Sequence, residues 1–215
     1  MSYQHEVFIS YRRTDEPPVQ TFLERSFISV FRGLLNEMLQ PDGVRIFYDR
    51  HDIRTGKKWP DTIHAGLAQS KILVPVLIPS YFHREWCLRE YAVFYHREQQ
   101  ANMGDDGLIF PVLFTKVGDL PSHVTNRTQM ADFSEFNYGE IRKDSPENKP
   151  FRIAVEKFAK DVFDGLSKIP AWNPDWANDR ITWCDKPYEN LLKRPAPSQE
   201  MNAPPSIENE KGILR

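Results

Sequence analysis

The spacing of apolar residues changes repeatedly along the chain. Val7-Phe8-Ile9-Ser10-Tyr11 is short, aromatic and β-branched, and predicts a buried strand. After Pro17-Pro18, the residues Phe22, Leu23, Phe27, Val30, Phe31, Leu34, Leu35 and Met38 recur every three or four positions, which is one face of a helix. Pro41-Asp42-Gly43 stops it, and Val44 to Tyr48 predicts a second strand. A polar loop, Asp49 to Trp59, contains Gly56. Pro60 suits the first turn of a helix, where its missing N–H is harmless, and that helix carries Ile63 and Leu67. Lys71 to Ile78 is apolar almost throughout, as expected of a strand covered on both faces. A helix over 83–99, a strand over 108–114, a short strand over 130–133 and a last amphipathic helix marked by Phe151, Val155, Phe158, Val162 and Leu166 complete the pattern.

Strands alternating with helices imply a parallel sheet with right-handed crossovers and helices on both faces. The expected fold is α/β: a flavodoxin-like three-layer sandwich with a central five-stranded parallel sheet, spanning residues 1–169. Ligands of such sheets bind at the carboxyl ends of the strands. Attention therefore falls on the residues just after Tyr11, Tyr48 and Ile78. From Pro170 the character changes. Residues 170–185 form a Trp-rich extension holding Trp172, Trp176 and Trp183, three of the five tryptophans. It is either packed on the domain or a docking motif for a partner. Residues 186–215 are Pro-rich and polar, the composition of a disordered tail.

Composition narrows the class. With 40% hydrophobic and 13% aromatic residues, the 215-residue chain can bury a substantial core. A net charge of −2 gives no basic excess for nucleic acid or an anionic membrane. The apolar run over 72–78 falls far short of the ~20 residues a spanning helix needs. Met1 to Glu6 has no charged stretch leading into an apolar one, so no secretory leader is expected and a cytoplasmic location is. Cys87 and Cys184 stand apart from any Cys/His cluster, so two reduced thiols are expected, without a metal site.

Three segments at the strand ends carry chemistry. Arg12 and Arg13 leave the first strand, and guanidinium forks match phosphate oxygens. The Asp49–Trp59 loop mixes both charges with Ile53 and is hinged by Gly56. Trp86 and Glu90 are four apart on a helix and share a face, an aromatic plate beside a carboxylate that suits a cationic aromatic ligand such as a pyridinium.

Together these segments resemble a known family. Val7 to Arg13 is similar to box 1 of Toll/interleukin-1 receptor (TIR) domains, Asp49 to Trp59 to their BB loop, and Ser80 to Glu90 to the helix-C motif of TIR domains that cleave NAD. The resemblance covers residues 5–168. It implies Glu90 as the catalytic carboxylate and Trp86 as the aromatic on the nicotinamide side. Ser10, Tyr11, Arg12 and Arg13, with Asp49, Arg54, Gly56 and Trp59 of the loop, are implied as substrate contacts. NAD+ enters as substrate, with no cofactor. A free-standing protein of this kind resembles bacterial members, which are commonly parts of anti-phage defence systems such as Thoeris. Partners implied are further TIR domains of the same protein and an upstream sensor or downstream effector.

The chemistry needs one carboxylate. The nicotinamide–ribose bond breaks toward an oxocarbenium-like state, and the leaving group departs neutral, so no general acid is required. A carboxylate beside the ribose stabilises the developing positive charge. Water as acceptor gives ADP-ribose; an atom of the same molecule gives a cyclic isomer. Two other readings compete. A non-enzymatic adaptor that only assembles with TIR domains has no need of the Trp86/Glu90 pair. A phospho-acceptor regulator on a similar sheet wants an acidic cluster for Mg²⁺ where this chain has Ser10-Tyr11-Arg12-Arg13.

Overall fold

The computed structural model describes residues 2–12, 18–39, 43–48, 59–104, 106–118, 120, 124 and 129–178. Five strands form one sheet: β1 His5–Tyr11, β2 Ile46–Tyr48, β3 Ser70–Leu77, β4 Val112–Leu113 and β5 Ala131–Asp132. Their order is β2-β1-β3-β4-β5, and every pairing is parallel. This is the flavodoxin-like order, with the switch point between β1 and β3. Those two strands pair along their length, from His5↔Ser70 to Tyr11↔Val76. The fourth strand is shorter than its apolar run. Pro75 of β3 brings no N–H to the Phe110 carbonyl, so Ile109 bridges Leu73 alone and regular pairing resumes at Val112.

The first helix, α1, begins earlier than the spacing indicates. It runs Pro18–Phe22, then a π-helical stretch Leu23–Phe27, then Ile28–Met38. Pro18 opens it, as a proline in a first turn can. Within the π stretch Ser26 faces inward, and its Oγ accepts the Ile141 N–H at 2.9 Å. Beyond the helix, Gly43 takes φ +69°, and Asn36 Oδ1 accepts the Val44 N–H as the chain turns into β2. The remaining helices are α2 Trp59–Gln69, α3 Glu85–Ala101, α4 Asn148–Leu166 and a short α5 Asp175–Asn178.

The period-two alternation of β1 divides the core. On one face, α1 and α4 meet through tilted and edge-on rings, Phe31–Phe158 at 5.3 Å and Phe22–Phe151 at 5.9 Å, beside the stacked pair Phe27–Phe31 at 5.2 Å within α1. On the other, Phe8 stacks on Phe47 at 4.9 Å, under α2. Gly66 of α2 lies so close to that ring that a Cβ there would stand 2.6 Å from it. Each buried Phe contributes about 1.5–3 kcal/mol on transfer from water. Phe8 and Ser10 therefore point toward α2 and α3, and Ile9 and Tyr11 toward α1.

The segment after α4 packs on the body at the sheet's amino-terminal edge. Trp172 Nε1 donates to the Ala68 carbonyl, and Trp176 Nε1 to Gln100 Oε1. Arg97, 4% exposed, lies between the rings of Phe94 at 4.8 Å and Trp176 at 4.9 Å. Tyr3 donates to the Pro170 carbonyl across the same edge. Trp183, Cys184 and the 186–215 tail lie outside the described residues.

Candidate active site

The strand-end edge gathers a carboxylate and two hydroxyls. Ser10 is the penultimate residue of β1. Tyr81 sits in the single turn Tyr81–His83 that comes after β3. Glu90 lies in the second turn of α3. The Ser10 hydroxyl donates to Glu90 Oε2 at 2.5 Å and lies 2.6 Å from the Tyr81 hydroxyl. All three are buried: Tyr81 at 0%, Ser10 at 1% and Glu90 at 8% exposure. A carboxylate so enclosed stays ionised only where donors replace its lost water.

Charged and thiol groups surround it. Cys87, one turn before Glu90, is buried, and burial pushes its thiol well above the usual range. The Glu90 carboxylate raises it further, while Arg12 and Arg84 pull weakly the other way. That thiol is a poor nucleophile. Tyr81 likewise stays protonated, raised first by burial and further by its acidic neighbours Cys87 and Glu90. Arg12 continues from β1 on the Glu90 side, and its Nε is buried without a hydrogen-bond partner among the described residues.

Trp86 is half-buried against the core on the helix that bears Glu90. The Arg89 guanidinium lies over its ring at 5.5 Å and pairs with Glu85 at 2.5 Å. Tyr11 is placed differently. It is 6% exposed and stacks on Tyr48 at 5.2 Å, on the α1 face, away from Glu90. Arg13, Asp49, Arg54 and Gly56 lie outside the described residues. Trp59 opens α2, and its side chain is not among those described. Of the ten sequence-derived candidates, then, Ser10, Arg12, Trp86 and Glu90 fall on one face of the sheet and helix α3. Tyr81 is not among those candidates. Its position directly after the third strand, inside the Ser80–Glu90 motif, was the available signal.

A cavity of about 710 Å³ lies at the opposite edge, among the last turns of α3 and α4. It is lined by Asp161, Asp164 and the Asp106–Lys168 ion pair, far from the strand-end chemistry. No helix among the described residues is long and apolar enough to cross a membrane.

Comparison with known proteins completes the site. A stretch of 90 residues, 42% of this chain, is 29% identical to a protein of Brachypodium distachyon named a probable 2′ cyclic ADP-D-ribose synthase. The match spans about a third, 35%, of that relative's length. Among solved structures, the TIR domains of the activated Roq1 resistosome are 19% identical, over 77% of this chain and 96% of theirs, with a TM-score of 0.39. The TIR domain of the Toll-related receptor TRR-2 from Hydra magnipapillata is 15% identical, over 76% and 99%, with a TM-score of 0.43. The family model described as "TIR domain" matches residues 7–144, which takes in β1 through β5 and the whole Ser10–Tyr81–Glu90 arrangement. On that match, the chain belongs to the TIR-domain family.

Proposed function

We propose that the protein cleaves the nicotinamide–ribose bond of NAD+, releasing nicotinamide and ADP-ribose or a cyclic isomer of it. The observation that carries this reading is the buried Glu90 carboxylate at the carboxyl edge of the sheet, held by Ser10. The cyclic ADP-ribose chemistry named for the Brachypodium relative supports it. Glu90 stabilises the positive charge that builds on the ribose as neutral nicotinamide leaves. Arg12, which follows β1 at the strand-end edge, takes the diphosphate through its guanidinium. Trp86 offers a ring edge to nicotinamide beside the Arg89 guanidinium. The BB-loop residues Asp49, Arg54, Gly56 and Trp59, with Arg13, complete the cleft in this reading, whereas Tyr11, turned to the α1 face, takes no part in it. The biological setting is then a bacterial anti-phage response acting on cytoplasmic NAD+, with cleavage switched on by self-association.

The test is incubation of the purified chain with NAD+ and mass analysis of products. Glu90→Gln keeps side-chain volume and removes the charge, and lowers kcat by at least ~10²-fold, the scale of removing one electrostatic stabiliser. Activity within a few-fold of wild type would overturn the assignment. A wild-type protein that self-associates yet releases no nicotinamide would be a binding module instead.

A further inference from the structure

We propose that Tyr81 and Ser10 are positioning residues for Glu90, a two-hydroxyl clamp that keeps its carboxylate ionised and fixed in orientation. This rests on the reading of Glu90 as the catalytic carboxylate and deepens it. Ser10, implied by resemblance to be a substrate contact, thereby takes a different role.

The direction of the clamp comes from proton counting. A serine hydroxyl has one proton, and Ser10 donates it to Glu90 Oε2. The 2.6 Å contact with Tyr81 must then run from the phenol to Ser10 Oγ. The order is Tyr81 to Ser10 to Glu90, each bond polarising the next in a water-poor interior. Both Ser10 lone-pair and proton capacity are directed inward, and at 1% exposure the side chain has no surface to offer a ligand.

The three groups come from separate parts of the chain. Ser10 ends β1, Tyr81 lies just past β3, and Glu90 belongs to α3, with sequence separations of 71 and 80. Tyr81 is fixed in its turn by its own N–H on the Ile78 carbonyl at 2.9 Å, and by its ring against Phe82 at 5.1 Å. The clamp thus ties the catalytic helix to the two central strands. Burial keeps Tyr81 a donor over the whole range in which a carboxylate titrates. Cys87, one turn before Glu90 on α3, feels its charge directly; Arg12, just past β1, and Arg84, just before α3, act on Cys87, and Tyr91 acts on Tyr81. They stay in place in every variant of the clamp, so their effects cancel in the comparison.

The experiment titrates Glu90 directly. Full-length protein carrying ¹³C-carboxyl glutamate is followed by NMR from acid to neutral pH, and the Glu90 signal is assigned by its loss in Glu90→Gln. Ser10 donates to the ionised form, so removing that donor raises the Glu90 midpoint. Ser10→Ala moves it up by about one pH unit, and Tyr81→Phe, which keeps the ring, by about half as much. Adding Tyr81→Phe to Ser10→Ala changes nothing further, because Tyr81 acts through Ser10. For NAD+ cleavage, each variant lowers kcat about tenfold with KM within about twofold, and the acid limb of the rate profile moves with the NMR midpoint. Midpoints that stay at the wild-type value, or effects that add in the double variant, overturn the clamp. A loss of melting temperature with an unmoved midpoint does the same, as a merely structural role. If the midpoints move but wild type never cleaves NAD+, the clamp stands and the proposed activity falls. If cleavage is normal and the midpoints do not move, the activity stands and the clamp falls.

Discussion

Arg97 poses a question of which of two opposing terms is larger. The guanidinium is 4% exposed, lies between Phe94 and Trp176, and reaches the Ser70 carbonyl at 3.4 Å. Truncating a large buried aromatic costs about 3–5 kcal/mol in a closed core. Trp176 is the lid on Arg97, so Trp176→Ala also loses a cation–π contact, worth about 0.5–2 kcal/mol. Against that, it returns water to a charge whose effective desolvation penalty is several kcal/mol. Rehydration outweighs the lost cation–π contact, and the net cost of Trp176→Ala falls to about 2–3 kcal/mol. Arg97→Met keeps most of the volume and removes the buried charge, so by itself it changes stability by no more than about 1 kcal/mol. In the Arg97→Met background no charge remains to be rehydrated, and Trp176→Ala costs about 1 kcal/mol more than in wild type. Urea unfolding of the full chain, with a common m-value across the four proteins, measures the cycle. A smaller cost in the Arg97→Met background would show that cation–π attraction dominates and that the hydration argument is wrong.

Two further outcomes are expected. Burial favours the neutral form of Glu6, but hydrogen bonds and charge from Arg45, with Lys71 at 3.5 Å, outweigh it and hold the carboxyl below its ordinary value of 4.5. A carboxyl depressed in the folded state stabilises above its unfolded value and loses that contribution as pH falls through the folded one, so Glu6→Gln should lower Tm at neutral pH and flatten its fall below about pH 4.5; parallel Tm–pH curves would count against this. Specific activity toward NAD+ should rise with protein concentration, and Gly56→Pro should reduce it without unfolding the domain; a linear rate from a monomer confirmed by light scattering, indifferent to that change, would show a site complete in one chain.

The layered fold was legible because local and global signals agree. The apolar runs at 7–11 and 71–78 match β1 and β3 closely, since strands buried on both faces leave little else for the sequence to say. The π stretch in α1 was not legible: Leu23, Phe27 and Phe31 keep an ordinary step of four, which hides the step of five from Phe22 to Phe27. Nor was the shortening of β4, which one proline imposes. At the site, helical spacing correctly joined Trp86 and Glu90 on one element. It could not show that Ser10 and Tyr81, from two other elements, occupy Glu90. It could not show either that Tyr11 turns to the opposite face from Ser10 until the sides of β1 were assigned to helices. Box 1 reads as four adjacent polar candidates, but a strand sends alternate side chains to different layers.

The packed segment ending in α5 has a consequence for how this domain can be wired. Trp172 and Trp176 anchor at the end of α2, just before β3, and at the end of α3, whereas Ser10 and Glu90 meet at the other end of the central strands. With 8 residues in β3, at about 3.3 Å each, the two ends are roughly 25 Å apart. A fusion partner, affinity tag or surface anchor joined beyond Asn178 therefore departs from the rear of the molecule. Subunits tethered that way can be crowded on a bead or a scaffold with the Ser10–Glu90 edge turned outward, and a binder raised against the tether region should leave that edge open.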